Sequence, residues 1–452
     1  MAKESAAPRP TLSLFDGMVL VVGMVVGVGI FATPSLVAQF AGSEFNYLAL
    51  WLVGGGLTLI GALCYAELCT RIPSAGGEYH FLSLAYGRSI AILFAWARCS
   101  VIQTGSIAFV SFIYGDYAQQ VLPLGPFGAA IHAAIAIIVF TGINITGTLQ
   151  GKTTQKLFTS LDIIALFLLI AVGVMLWGGP AAATPAPAAE GGGAPTMIGL
   201  AMVFVLLTYG GWNEAAYLSA ELKDERRNMV RVLALSVVVV TALYFLVAYV
   251  YLRTVGFEAL RNSSAIATDV LRLAFGPAGG VVIAVLICGS AISTLNATIF
   301  TGGRIYYELA KDLPVLRYFG LWDTKGENPA HAFVLQGVVA LGLVAVGAAS
   351  RDGFRAMVDY TAPVFWLFMS LVAVSLFIFR ARKEGLADAY KVPFYPLTPA
   401  IFAAMCLYML YSSVTYAIGQ DAQTAALLGL GVLLAGVPLL FFKSPPATEP
   451  AE

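Results

Sequence analysis

Apolar residues fill twelve runs of this chain, at residues 14–40, 47–69, 89–117, 127–145, 155–177, 197–219, 230–252, 278–309, 331–349, 357–379, 396–418 and 422–442. Each reaches the ~18–20 residues that a helix needs to cross a bilayer, so the pattern predicts an all-α integral membrane protein with 12 transmembrane helices. Two runs are interrupted. Val26-Gly27-Val28-Gly29-Ile30-Phe31 breaks the first, and Tyr209-Gly210-Gly211-Trp212 breaks the sixth. Glycine inside a helix costs roughly 1 kcal/mol against alanine, so its density here predicts backbone left unwound. Unwound backbone at membrane depth persists only where protein or a watery cavity surrounds it. Breaks at corresponding places in two halves of a polytopic chain point to a midplane substrate site, the arrangement of a secondary transporter. Close helix packing is the plainer reading of the glycine pairs, but it does not explain why both runs are interrupted at matching places.

Gly178 to Pro195 is Ala, Pro and Gly with one Thr and one Glu. That composition predicts a flexible outer loop between two five-helix halves, about 14–177 and 197–379. The runs at 396–418 and 422–442 fall outside the halves, and their Leu, Ala and Gly content suits packing or dimer contacts. Lys and Arg crowd the segments on one side, whereas the other side carries only Arg253, Arg261, Arg272, Arg351 and Arg355. The bias places both termini, 1–13 and 443–452, in the cytoplasm, with the transporter core spanning 14–418.

Composition narrows the classes. Of 452 residues, 59% are hydrophobic and 11% charged, far from the quarter charged in soluble domains. A net charge of zero offers no basic face to nucleic acid. Cys64, Cys69, Cys99, Cys288 and Cys406 all lie in apolar runs without a CxxC pair, and His80, His132 and His331 are scattered. No disulfide framework, metal centre or cofactor is expected, and without GxSxG, HExxH or a P-loop the chain does not read as an enzyme.

Each break exposes backbone chemistry. After Gly27-Val28-Gly29 a half-helix starts with free N–H groups and a positive dipole end, which suit a carboxylate. Before Tyr209 another stops, leaving carbonyls of Leu206, Leu207 and Tyr209 without helical partners, which suit an ammonium. Donors facing carbonyls match a zwitterionic amino acid.

These breaks, together with Ala62-Leu63-Cys64-Tyr65-Ala66-Glu67-Leu68, Ile72-Pro73-Ser74-Ala75-Gly76-Gly77-Glu78-Tyr79, Asn213, Glu221, Arg226-Arg227-Asn228, Asn296-Ala297-Thr298-Ile299-Phe300-Thr301, Arg304-Ile305-Tyr306-Tyr307 and Tyr390-Lys391-Val392-Pro393, resemble the amino acid-polyamine-organocation superfamily. The closest likeness is to its L-type amino acid transporters and their bacterial relatives. The resemblance implies a LeuT-type 5+5 inverted repeat with spans one and six broken, plus two extra C-terminal helices. It also implies transport of L-amino acids, neutral ones foremost, across a bacterial inner membrane. Cationic amino acids or polyamines, or amino acid sensing on the same fold, are the alternatives. By position, the carboxylate turn falls on Gly27, Val28 and Gly29 with Ile30 following. The ammonium carbonyls fall on Val25, Leu207 and Gly210, and Tyr209, Trp212 and Asn213 complete the substrate set. Val28 stands where many relatives have Ser or Thr. Leu207 replaces the aromatic gate of L-type transporters, so occlusion passes to another residue, with Tyr209 and Trp212 the candidates.

Asp162 takes the place of a span-five lysine found in many relatives. A mid-span carboxylate is a functional hypothesis by default. It can carry a coupling proton, or join Asn296, Thr298 and Thr301 around Na+, or simply hydrogen-bond to neighbouring hydroxyls. Arg98 and Glu214 fall at similar depth in the inner half, as an inner-gate ion pair or as charges with separate partners. The loop 119–127 lacks the cysteine through which animal L-type transporters join a glycoprotein heavy chain. A monomer or homodimer in the lipid bilayer is expected, without that partner.

Overall fold

The computed structural model describes residues 12–74, 77–146, 152–176, 195–312, 314–321, 328–350, 352–386, 388–419 and 423–442. The predicted outer loop 178–195 lies almost wholly outside the described residues, as do both tails beyond Leu12 and Phe442. The chain begins with α1 (Leu14–Val25), whose first turn is closed by a capping box between Ser13 and Asp16. Helix α2 (Gly29–Ala41) follows at 51° to α1. Helices α3 (Glu44–Arg71) and α4 (Gly77–Tyr86) come next. After them, α5 (Arg88–Ala97), a π-helical stretch at Arg98–Gln103 and α6 (Thr104–Val121) form one continuous run.

Then come α7 (Gly128–Thr146), α8 (Lys152–Met175) and α9 (Pro195–Thr208). Helix α9 leads through the turn 209–211 into a 3-10 segment, Trp212–Glu221. The remainder comprises α10 (Glu225–Val255), α11 (Phe257–Asn262), α12 (Ile266–Asp312), α13 (Ala330–Ala348), α14 (Gly353–Arg382), α15 (Leu397–Gly419) and α16 (Gln423–Leu434). Helix α12 kinks at Gly276, whose φ of 66° is left-handed, and so begins a full three turns before the predicted run.

Among the described residues nine helices are long and apolar enough to cross a membrane, and the bent pair α1 and α2 makes a tenth. The apolar segments Asp162–Met175 and Met197–Thr208 are shorter and occupy the fifth and sixth predicted runs. The sixth is short because its α-helix ends at the second break. The exterior is apolar as well as the core. Ile138, Val238, Val282 and Leu407 are about half exposed, a surface that suits hydrocarbon and would aggregate in water. This is a multi-pass membrane protein.

Inside, α2 packs along α9, α3 along α10, α12 against α6 and α8, and α14 against α15 and α6. The π-helical stretch frees carbonyls from the ordinary ladder. Two are taken by tyrosines from other helices: Tyr306 donates to the Cys99 carbonyl at 2.8 Å and Tyr360 to the Ser100 carbonyl at 2.8 Å.

Candidate functional site

The two breaks lie against each other. Gly29 starts α2 with Thr208 of α9 3.4 Å from where a Cβ would project, and Thr33 and Thr208 share a 2.6 Å hydroxyl hydrogen bond. At Gly211 the backbone takes φ 106°, and a Cβ there would come 2.5 Å from the Met24 carbonyl oxygen. Only glycine satisfies both conditions. Val25, Val28 and Ile30 bury their side chains, so this turn offers polarity through its backbone. Val28 is the N-cap of α2 and supplies no side-chain cap. Of the expected carboxylate turn, the Gly27 N–H turns back to the Val25 carbonyl at 2.9 Å, and the Phe31 N–H of α2 goes to the Val28 carbonyl at 3.1 Å. The amides of Val28, Gly29 and Ile30 are the ones left for another acceptor.

The carbonyl side differs from expectation in detail. The Val25 carbonyl accepts the Tyr244 hydroxyl at 2.7 Å and the Gly27 N–H at 2.9 Å, which engages both lone pairs. The Leu207 carbonyl accepts the Gly210 N–H at 3.0 Å. Because Gly210 turns to Leu207 rather than to Leu206, the Leu206 carbonyl is released from the ladder. Tyr244 is the residue that sequence reasoning missed. Its hydroxyl reaches both broken ends, Val25 at 2.7 Å and the Thr208 carbonyl at 3.3 Å, and nothing local in the run 230–252 marks it.

A small cavity of about 20 Å³ adjoins the second break, lined by Thr58, Leu206, Gly210, Trp212, Asn213, Phe365, Trp366, Met369, Phe402 and Met405. That is room for about one water molecule. Among the described residues Thr58 Oγ1 and Trp366 Nε1 are buried there without hydrogen-bond partners, a costly arrangement unless something polar enters. Helix α15 contributes Phe402 and Met405 to this lining.

Neither candidate for the missing aromatic gate stands free. The Tyr209 ring is fully buried beside Trp51 and Tyr244, and its hydroxyl donates to the Trp51 carbonyl at 3.0 Å. Trp212 packs edge-on against Tyr65 and Phe402. At the end of the bundle where α2 finishes, other aromatics pack together. Phe40 stacks on Phe204 of α9 at 6.0 Å and meets Tyr416 of α15 edge-on. The Arg355 guanidinium of α14 lies 5.0 Å from both the Phe40 and Tyr416 rings.

At the opposite end, Arg98 contacts Glu214 at 2.6 Å and Glu78 of α4 at 2.9 Å. Glu78 also accepts from the Tyr65 hydroxyl at 2.7 Å and from Asn213 Nδ2 at 2.9 Å. Burial pushes the Glu78 carboxyl above its usual range and Glu214 adds to the shift, while Arg98 and the two hydrogen bonds oppose it. Asn213 therefore stands between the cavity and a buried acid.

The expected ion set is divided. Asp162 is buried and accepts a hydrogen bond from Ser290 of α12. One turn further on, Thr294 Oγ1 is 3.9 Å from the Cβ position of Gly27. Thr298 and Thr301 instead meet Gln103, whose Nε2 donates to the Thr298 carbonyl at 2.7 Å and to Thr301 Oγ1 at 3.2 Å. Asn296 pairs with Asn144 at 2.8 Å. Thr298 lies two turns beyond Ser290, about 12 Å along the helix, so the structure does not bring it to Asp162.

Known proteins place this geometry. The chain is 28% identical over 449 residues to the serine/threonine exchanger SteT of Bacillus subtilis (strain 168), covering 98% of each chain. It is 29% identical over 400 residues to the human b(0,+)-type amino acid transporter 1, covering 86% of this chain and 81% of the relative. It is 26% identical over 454 residues to the human large neutral amino acids transporter small subunit 2, covering 96% and 80%. A family model described as amino acid permease matches residues 12–436. Two helices broken face to face within an apolar bundle, matched over nearly the whole chain, establish that this protein belongs to the amino acid permease family of the amino acid-polyamine-organocation superfamily, close to its L-type group.

Proposed function

We propose that this chain is a secondary active transporter, a permease or exchanger that moves neutral L-amino acids across a cytoplasmic membrane by alternating access. The observation that carries the reading is the opposition of the two broken ends. The Gly29 and Ile30 amides open α2 without a side-chain cap, and the released Leu206 carbonyl lies where α9 ends. The first suits a carboxylate and the second an ammonium. The relatives support amino acids as the substrate class by their names, and SteT supports exchange. The cavity lining favours neutral side chains, since it holds no carboxylate among the described residues, and Glu214 is tied to Arg98.

In this reading all twelve runs cross the membrane in two inverted five-helix halves, and the charge bias puts both termini and the Glu78 end inside. The Arg355 end then faces outward. Arg98 with Glu214 closes the inner side, and Asp162 couples transport to H+ or Na+. The chain works without a glycoprotein heavy chain.

Counterflow in proteoliposomes tests the substrate class. Vesicles preloaded with unlabelled neutral L-amino acids should accumulate the labelled compound with no ion gradient applied. Accumulation only with lysine, arginine or polyamines inside would transfer the proposal to cationic substrates. Silence with every pool would remove the exchange reading.

A further inference from the structure

We propose that Glu78 is a positioning residue for the substrate site, fixing the orientation of the Asn213 side-chain amide so that its carbonyl oxygen is presented to the cavity. The inference rests on the transporter reading and names a residue that acts through another.

Glu78 is 4% exposed and sits in the first turn of α4, a helix too short to cross the membrane. An ionised carboxylate only accepts hydrogen bonds. Asn213 must therefore turn Nδ2 toward it, as the 2.9 Å contact has it. Oδ1 then points elsewhere, and among the described residues it has no hydrogen-bond partner, although Asn213 is only 5% exposed and lines the cavity. Together with Thr58 Oγ1 and Trp366 Nε1, both buried without partners, Oδ1 gives the cavity an acceptor, a hydroxyl and a donor awaiting a polar group. A small substrate side chain carrying a hydroxyl or amide satisfies them; a purely aliphatic one leaves them unpaired.

Glu78 holds this orientation only while ionised. Once protonated, it can donate to Oδ1, and the amide is free to turn over. The groups around it are few. Tyr65 comes from α3, Arg98 from the π-helical stretch, and Asn213 and Glu214 from the 3-10 segment. Met369 of α14 lies behind the Tyr65 hydroxyl. On α4 itself His80 lies two residues on, and at the far end of that helix Arg382 donates to the Leu84 and Ala85 carbonyls, with Arg88 opening α5.

The experiment is counterflow of L-serine and L-threonine in proteoliposomes across a pH series, for the native chain and for Glu78→Gln. In the native protein the apparent KM should rise as the pH falls through the titration of Glu78. Glu78→Gln should show a KM about tenfold above the native neutral-pH value, the loss of one hydrogen bond to a charged group. That KM should be flat with pH, with maximal rate little changed. A Glu78→Gln protein that keeps the native KM and pH profile overturns the proposal. If Glu78→Gln does not purify as a folded protein, Asn213→Asp decides. Two facing carboxylates must then share a proton, so the pH slope of KM should invert, and a slope like the native one overturns the proposal. Failure of the native chain to exchange any amino acid would instead defeat the transporter reading.

Discussion

Gly211 carries the second break at a single residue. With φ 106° and the Met24 carbonyl 2.5 Å from its Cβ position, alanine there meets both backbone strain of about 1–3 kcal/mol and a clash with backbone. Gly211→Ala should lower the initial counterflow rate at least tenfold and depress the melting temperature in detergent; a native-like rate would show that the turn tolerates a side chain. Tyr244 binds the two breaks from behind. Tyr244→Phe removes only the hydroxyl and leaves the Val25 and Thr208 carbonyls without that donor, at a cost of roughly 1–3 kcal/mol. Transport should fall severalfold while far-ultraviolet dichroism stays unchanged. Asp162→Asn should abolish gradient-driven accumulation and spare exchange, and unchanged uphill uptake would dismiss the coupling role. The glycines were legible because they interrupt two runs at matching places, which close helix packing by itself does not explain. Tyr244 was not, since a lone tyrosine in an apolar run looks the same whether or not its hydroxyl has a special partner.

Helix α2 follows a break and α9 precedes one, and a charged contact lies toward each end of the bundle around them. At the Arg355 end the contact is one guanidinium over two rings, worth about 0.5–2 kcal/mol. Arg355→Gln should therefore shift the resting population outward-open, read as faster modification of a cysteine placed at Phe204 by a membrane-impermeant thiol reagent; unaltered labelling would show that Arg355 does not hold that end shut. At the other end Arg98 binds two carboxylates at once. A double-mutant cycle on Arg98 and Glu214 should give a coupling energy in transport rate, and additive effects would separate the two residues. The charged residues at this end could be read from depth along the runs, but Glu78 as their common partner could not, because it sits in a loop helix whose fold back into the bundle is a tertiary event.

Across the whole molecule, the ends of α3 and α14 on the Glu78 side are joined by a second buried acid. Glu67, fully buried, accepts from Arg71 at 2.8 Å, from Arg380 at 2.6 Å and from the Val392 N–H at 2.8 Å. Removing one partner of a buried ion pair costs about 3–5 kcal/mol because the other charge stays buried. Glu67→Gln should accordingly lower detergent-solubilised stability by several degrees, measured by fluorescence-detected melting, without a selective effect on KM; a KM effect alone would assign Glu67 to the site instead. By itself the sequence determined that the chain lives in a membrane, where its helices run, and where two of them break. Those features follow from local energetics: hydrocarbon demands long apolar helices, and glycine weakens a helix wherever it falls. The tertiary structure alone decided which carbonyls at the breaks are already occupied, that Arg355 lies against Phe40 and Tyr416 while Tyr209 is buried beside Trp51 and Tyr244, and that Asp162 meets Ser290 rather than Thr298. Each of these depends on the rotation and depth of one helix against another. Packing sets those quantities, and neither hydrophobic periodicity nor residue spacing records them.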